Sequence, residues 1–218
     1  MLSIQLHNLG KKFNREWIFK DLSYTIASGQ KLAILGGNGS GKSTFIQVIS
    51  GFVMPNAGEI VYTRIAPGSA DKIISTEKIK DSVSFASPYL QLIEELTLKE
   101  LVDHVRIYKP FLANLTRSEV LDKMELSHAA NKPVKQFSSG MKQRLKLGLA
   151  ILSDTPLLLL DEPVSNLDRE AIGWYRRLVE ECTPDRTVLV CSNAIAEEYS
   201  FCTTRLDIST FKPGVPKI

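Results

Sequence analysis

Cysteine, histidine and excess charge are all scarce in this chain of 218 residues. Its three cysteines, Cys182, Cys191 and Cys202, form no C-x-x-C pair, so the sequence indicates neither a disulfide framework nor a zinc site. The 27 lysines and arginines exceed the 24 aspartates and glutamates by only three. So small an excess does not indicate nucleic-acid binding without a clustered basic patch.

Long apolar runs are also missing, and none approaches the ~20 residues that a membrane-spanning helix needs. The first residues, from Met1 to His7, alternate like a strand and do not resemble a secretory signal. We therefore expect a cytoplasmic protein, whose role at a membrane would depend on a partner. Because 44% of the residues are hydrophobic and 23% are charged, the chain can bury the core of one α/β domain.

A short apolar strand, a glycine-rich loop and a helix follow one another over residues 31–50. The apolar stretch Lys31–Leu35 is typical of a buried parallel strand, and Thr44 to Ser50 can continue as a helix. Glycines let the loop aim its N–H groups inward, and the helix dipole adds positive potential there, so the loop is predicted to bind the phosphates of a nucleotide. The candidate nucleotide-binding residues are Gly36, Asn38, Gly39, Ser40, Gly41, Lys42, Ser43 and Thr44.

Within this loop, two side chains have distinct predicted roles. Lys42 would reach the β and γ phosphates, and the Ser43 hydroxyl is placed to ligate Mg²⁺.

A second motif, which is acidic, complements the glycine loop. Leu157–Leu160 is an apolar strand, and it ends in Asp161 and Glu162. Adjacent side chains on a strand diverge, so Asp161 is predicted to face the metal and Glu162 the attacking water of a hydrolysis reaction.

The remaining patterns predict how the domain is organised. Residues 1–30 indicate extended segments of an early sheet, and the block over residues 88–152 is mostly helical in pattern. From Pro156 onward, apolar strands alternate with a helix. We predict a single α/β domain over residues 1–218, with a P-loop NTPase core, a mostly parallel sheet, an N-terminal antiparallel β subdomain and a small helical subdomain over residues 88–152.

The order of four motifs resembles the ATP-binding subunit of an ABC transporter over nearly the whole chain. The motifs are the loop Gly36–Thr44, the segment Phe137–Arg144, the strand with its acids Leu157–Pro163, and the segment Ser165–Asp168. The second of these is similar to the signature motif of that family, with Ser138 and Gly140 retained. The resemblance implies Mg²⁺-dependent ATP binding and hydrolysis, with ATP and Mg²⁺ as cofactors.

The same resemblance implies a head-to-tail dimer, formed either by two copies of this chain or with a related ATPase subunit. Each nucleotide would be clamped between one phosphate loop and the partner's segment around Ser138 and Gly140, with Asp168 near the interface. A serine at a helix start also caps free N–H groups, which favours an anion at that point. Phe13 stands where the family places the ring that stacks on adenine, and Trp17 is the alternative ring.

Two positions depart from the family pattern. Pro88 replaces the glutamine that touches Mg²⁺ and senses the membrane subunit, and Gln91 and Ser87 are the candidate substitutes. Asn193 replaces the switch histidine after the late strand. An asparagine can still hydrogen-bond a phosphate oxygen, but it has no titratable proton, so we expect slow hydrolysis with Asn193, Lys42 and Glu162 as the catalytic set.

These observations lead to one principal functional hypothesis and two alternatives. The principal hypothesis is a cytoplasmic ATPase subunit, peripheral on the inner face of the membrane, that powers a separately encoded membrane-spanning subunit, with export as the expected direction. The first alternative is a non-transport ABC ATPase that acts on nucleic acid or ribosomes, although no nucleic-acid partner is expected. The second is a nucleotide-dependent regulatory module that hardly hydrolyses ATP.

Overall fold

Strands dominate the first third of the chain, helices the middle, and the two alternate afterwards. The computed structural model describes residues 1–65 and 70–214. In chain order its strands and longer helices are β1 (Leu2–Phe13), β2 (Glu16–Ile26), β3 (Lys31–Leu35), α1 (Lys42–Ile49), β4 (Ala57–Arg64), β5 (Lys72–Ile74), β6 (Val83–Ala86), α2 (Leu98–Tyr108), α3 (Arg117–Lys123), α4 (Ser139–Leu152), β7 (Leu157–Asp161), α5 (Arg169–Cys182), β8 (Thr187–Ser192), α6 (Ala196–Tyr199) and β9 (Thr204–Asp207).

Strand β3, which leads into the glycine loop, and four later strands form a parallel sheet in the order β6-β7-β8-β3-β9. All five residues of β7 and all six of β8 are buried, which explains why these strands are continuous apolar runs rather than alternating ones. Leu35 pairs with Ser192, and Asp161 pairs with Cys191. The segments that follow β3, β7 and β8 therefore emerge side by side at one edge of the sheet.

The N-terminal residues form a separate antiparallel sheet in the order β2-β1-β4-β5. Its inner face packs into one apolar core together with α1 and alternate residues of the parallel sheet, including Ile4, Phe45 and Leu159. Tyr62 of β4 fixes this contact, because its hydroxyl donates to the Ile49 carbonyl at the end of α1 over 2.8 Å. The antiparallel sheet thus lies against the helix that follows the glycine loop.

Helices α2, α3 and α4 occupy the middle of the chain and share a second apolar core with the other faces of β7 and β8. Thr97 and Thr116 begin α2 and α3 with reciprocal caps, in which Glu100 and Glu119 accept from the backbone N–H of the capping threonine. Arg186, just before β8, donates to the Ile151 carbonyl near the C-terminal end of α4 and to Ser84 of β6. Helix α4 is therefore anchored to the parallel sheet.

The predicted fold class is confirmed: a mostly parallel α/β core carries an N-terminal antiparallel sheet and a helical block. Helix α1 begins at Lys42, two residues before the predicted start, because the loop passes directly into the helix. The single domain over 1–218 and its helical subdomain over 88–152 stay predictions. Between residues 1 and 65 and between 70 and 214, every helix is too short or too polar to cross a bilayer.

Candidate functional site

The glycine loop turns tightly at the N terminus of α1, in a conformation that needs glycine at two points. Gly41 has φ 101°, and a Cβ there would lie 2.5 Å from Cγ2 of Ile18 on β2. At Gly36, with φ 153°, a Cβ would lie 2.5 Å from the Ser40 hydroxyl oxygen. Side chains at these positions would open the loop, so the two glycines keep its backbone close around the start of α1.

Lys42 is the cation at the centre of this loop, and it is only 5% exposed. Its ammonium donates to the carbonyl oxygens of Gly36 and Gly37 over 2.7 and 3.0 Å. A third hydrogen bond, of 2.5 Å, goes to Oδ1 of Asn193 in the segment after β8. Two backbone carbonyls and the Asn193 amide therefore hold the positive charge in place beside the N terminus of α1.

Asn193 connects Lys42 to Glu162. While its Oδ1 accepts from Lys42, its Nδ2 donates to Oε1 of Glu162 over 2.8 Å. Glu162 has a left-handed backbone (φ 45°), and its N–H donates to the Cys191 carbonyl over 2.9 Å, which turns the chain sharply away from β7. The three residues that were predicted as the catalytic set thus form one continuous bridge of carboxylate, amide and ammonium.

Asp161 ends β7, directly before Glu162, and only 2% of its surface is exposed. Burial raises the pKa of this carboxyl, while the nearby hydroxyls of Ser43 and Ser87 act to lower it. Among the described residues, Oδ1 of Asp161 has no hydrogen-bond partner. A buried carboxylate oxygen without a partner, next to a serine hydroxyl, fits a hard cation such as Mg²⁺.

The parts of the chain that the structure describes contain no cluster of three or more His, Cys, Asp or Glu residues suited to a metal. A magnesium ion at Ser43 and Asp161 would therefore complete its shell with water and phosphate oxygens, as Mg²⁺ commonly does in nucleotide sites. The two predicted metal residues are consistent with a metal that arrives together with a nucleotide.

An open cleft of about 520 Å³ extends from this centre to the N-terminal sheet. Phe13 is one of its lining residues and is 48% exposed, and the Lys11 ammonium lies 5.0 Å from the centroid of the Phe13 ring. Trp17, the alternative ring, is not among the lining residues and instead lies near Lys12 and Lys20. The cleft lining comprises Phe13, Ile18, Asn38, Gly39, Gly41, Lys42, Ser43, Thr44, Tyr89 and Glu162.

Ser138, Gly140 and Asp168 line a different cavity, of about 330 Å³, that shares no residue with the cleft. Ser138 caps α4 by accepting from the N–H of Met141 over 3.2 Å, and Asp168 caps α5 by accepting from Ala171 over 2.8 Å. Two helix N termini therefore meet at this second surface, and that of α4, which has a neutral cap, favours an anion. Within one chain the two halves of the predicted site remain apart.

Three residues near the cleft were absent from the predicted site. Lys11 lies over Phe13, and Tyr89 lines the cleft, while Glu198 is only 1% exposed behind Ser192. Oε1 of Glu198 accepts from the Val164 N–H over 3.4 Å, and burial raises the pKa of this carboxyl to about 7. In the sequence, Glu198 adjoins Glu197 on a short helix, and no local pattern indicates which of the two is buried.

The sequence of this chain is similar to those of known ATP-binding proteins. A family model described as ABC transporter matches residues 19–165. The uncharacterized ABC transporter ATP-binding protein YcbN of Bacillus subtilis is 32% identical over 197 residues, which are 89% of this chain and 62% of that protein. The lantibiotic transport ATP-binding protein SrtF of Streptococcus pyogenes is 30% identical over 200 residues, 90% of this chain and 82% of that protein.

Among solved structures, the ATP-binding cassette MJ0796 has the same fold. Its dimeric post-hydrolysis state, bound to ADP and Pi, superimposes with a TM-score of 0.76 at 23% identity, covering 94% of this chain and 95% of that one. This chain spans less than two thirds of YcbN, at 62%, so the activity of that whole protein does not transfer to it directly.

Stability should depend on pH through Glu198. Since burial raises its pKa from 4.5 to about 7, the folded state favours the protonated carboxyl. The resulting stabilisation is complete below pH ~4.5 and is lost as the pH rises through about 7, by up to about 3 kcal/mol. In Glu198→Gln, which keeps a neutral side chain, we expect this part of the pH dependence to disappear.

Urea unfolding of the wild type and of Glu198→Gln at pH 4.5, 6, 7 and 8 measures the effect. Glu197→Gln, at the exposed neighbour, is the matched control. A difference in unfolding free energy between wild type and Glu198→Gln that stays constant over this range would contradict the assignment.

Proposed function

Since this chain belongs to the ABC transporter family, we propose that it binds and hydrolyses ATP and powers a separately encoded membrane subunit. The observation that carries the proposal is the bridge from Glu162 through Asn193 to Lys42, next to the glycine loop and to Asp161. Glu162 and Lys42 line the cleft as the proposed base and phosphate-binding cation, and the buried Asp161 beside Ser43 is the proposed metal-facing carboxylate. Each of these groups is needed for attack of water on a terminal phosphate.

In the proposed reaction, the glycine-loop amides and the Lys42 ammonium hold the β and γ phosphates. Glu162 orients a water molecule and accepts its proton as the oxygen attacks the γ phosphorus, while the bond to the β–γ bridging oxygen breaks and ADP leaves. Bound Mg²⁺ would neutralise charge on the phosphate oxygens. Asn193 keeps the Glu162 carboxylate directed at this place, and its amide does so without a titratable proton of its own.

A dimer completes the proposed site. Ser138, Gly140 and Asp168 present two helix N termini on a surface separate from the cleft, and an anion bound there would come from a second molecule. We propose that ATP joins the cleft of one chain to this surface of another chain, either an identical copy or a related subunit. Hydrolysis would then separate the two chains.

Replacement of Glu162 by Gln tests both the chemistry and the dimer. The amide cannot accept the proton of the attacking water, so we expect steady-state phosphate release to fall at least about a hundredfold. ATP binding should remain, and with ATP and Mg²⁺ the variant should form a dimer detectable by light scattering. Equal rates of phosphate release in the variant and the wild type would show that Glu162 is not catalytic.

The same assay separates the alternative of a nucleotide-dependent regulatory module. Pro88 and Asn193, which replace the family glutamine and histidine, motivate this alternative. A wild type that binds ATP and dimerises but releases no more phosphate than Glu162→Gln would favour the regulatory module over the transport ATPase.

Phe13 is proposed to stack on the adenine ring. One face of its ring meets the Lys11 ammonium, which is itself held by a 2.9 Å hydrogen bond to the Met54 carbonyl. Base stacking on an aromatic ring contributes ~1 to 3 kcal/mol, so Phe13→Ala should weaken ATP binding by about fivefold or more. Equilibrium titration measures it, with Phe52→Ala, another exposed phenylalanine, as the control; an unchanged dissociation constant would exclude Phe13 and favour Trp17.

Association with a membrane subunit is tested by purification from native membranes. We expect the chain to be recovered with a protein of several membrane spans and to be released when that protein is removed. Recovery only as a soluble assembly, or salt-sensitive binding to DNA or RNA, would contradict the proposal and favour the nucleic-acid or ribosome alternative. Export is the direction we propose, because the compact layout resembles that of export-type subunits.

A further inference from the structure

The turn after β6 brings unexpected residues to the nucleotide cleft. Strand β6 pairs with β7 so that Ala86 lies opposite Leu160, and the residues that follow, Ser87 and Asp161, are therefore neighbours at the sheet edge. Ser87 is 5% exposed, and its hydroxyl lies beside the Asp161 carboxyl. The turn is thus fixed against the carboxylate that is predicted to face the metal.

Ser87 also sets the conformation of the turn. Its hydroxyl oxygen accepts from the Tyr89 N–H over 3.4 Å, and its carbonyl accepts from the Leu90 N–H over 3.1 Å. Between them, Pro88 has a restricted φ, and its carbonyl accepts from the Lys146 ammonium of α4 over 2.5 Å. The backbone of Tyr89 is therefore held from both sides.

The Tyr89 side chain lines the cleft together with Lys42, Ser43 and Glu162, and it is 81% exposed. The backbone N–H of Tyr89 donates to Ser87, whose hydroxyl lies beside the Asp161 carboxyl, so the turn connects Tyr89 to the candidate metal residue. Phe13, which also lines the cleft, is the last residue of β1 in the N-terminal sheet. The Tyr89 phenol hydroxyl is a hydrogen-bond donor in the cleft that the candidate phosphate-binding residue Lys42 also lines.

Gln91, one candidate substitute for the family glutamine, is directed elsewhere. It lines an apolar groove with Leu92, Ile93, His104 and Lys146, and it is not among the residues of the cleft. The turn thus separates two functions: Tyr89 faces the nucleotide cleft, while the residues after it face the groove beside α2 and α4.

We propose that Tyr89 is a further nucleotide-contact residue, whose hydroxyl donates a hydrogen bond to the terminal phosphate of bound ATP. Pro88 itself has no side-chain donor, and the Ser87 and Lys146 contacts position the turn that carries Tyr89. The proposal rests on the proposed function, since it requires that the cleft binds ATP. It predicts that Tyr89 distinguishes ATP from ADP, because only ATP has a γ phosphate.

Equilibrium binding of ATP and ADP with Mg²⁺ to wild type, Tyr89→Phe and Tyr89→Ala tests this contact. Tyr89→Phe removes only the hydroxyl, so we expect ATP affinity to fall about three- to tenfold and ADP affinity to change less than about twofold. Tyr108→Phe, at a 72% exposed tyrosine on α2, is the matched control and should bind both nucleotides like the wild type.

Two results would overturn the contact while leaving the proposed function intact. One is an unchanged ratio of ATP to ADP affinity in Tyr89→Phe; the other is an equal loss of both affinities in Tyr89→Ala with Tyr89→Phe unaffected, which would indicate a ring contact with another part of the nucleotide. A wild type with no Mg²⁺-dependent ATP affinity would instead overturn the proposed function and this inference together.

Discussion

The hydrogen bonds of Lys42 organise the functional centre of this protein. A buried ammonium is costly unless oxygen atoms surround it, and here Gly36, Gly37 and Asn193 supply them. To do so, the glycine loop must close around the side chain, and β8 must lie beside β3 so that Asn193 reaches it. Because the Asn193 amide also donates to Glu162, it orients the Glu162 carboxylate directly after β7. The position of β8 between β3 and β7 therefore brings together the oxygen atoms that this one charge needs.

Hydrogen bonds connect this centre to the helical block. Lys146 of α4 bonds the Pro88 carbonyl, and the buried Gln143 of the same helix donates to the Pro163 carbonyl over 2.9 Å, directly after Glu162. Ser138, at the N terminus of α4, lies on the second surface. Helix α4 thus connects the turn beside Asp161, the segment after Glu162 and the surface proposed to meet another molecule.

Much of the site could be predicted from local sequence, because short motifs specify their own geometry. The loop Gly36–Thr44 needs its glycines wherever it occurs, and the apolar run Leu157–Leu160 identifies a buried strand with acids at its end. Tyr89 and Gln91 show the limit of this reasoning. Both are near Pro88 in sequence, but which one faces the cleft depends on the Ser87 contacts and on the hydrogen bond from Lys146 to Pro88, which joins residues 58 positions apart. Pairwise contacts over such separations leave no local signal.

By itself, the sequence determined the glycine loop before α1 and the alternation of strands and helices, because loop conformation, capping and burial periodicity act over a few neighbouring residues. Only the tertiary structure decided that Asn193 bridges Lys42 and Glu162, that Phe13 rather than Trp17 lines the cleft, and that Glu198 is buried. It also separated the surface of Ser138, Gly140 and Asp168 from the cleft. Strand order and helix packing set these contacts between distant parts of the chain. Both arise from the burial of apolar side chains over the whole chain, and many different sequences share the same apolar pattern.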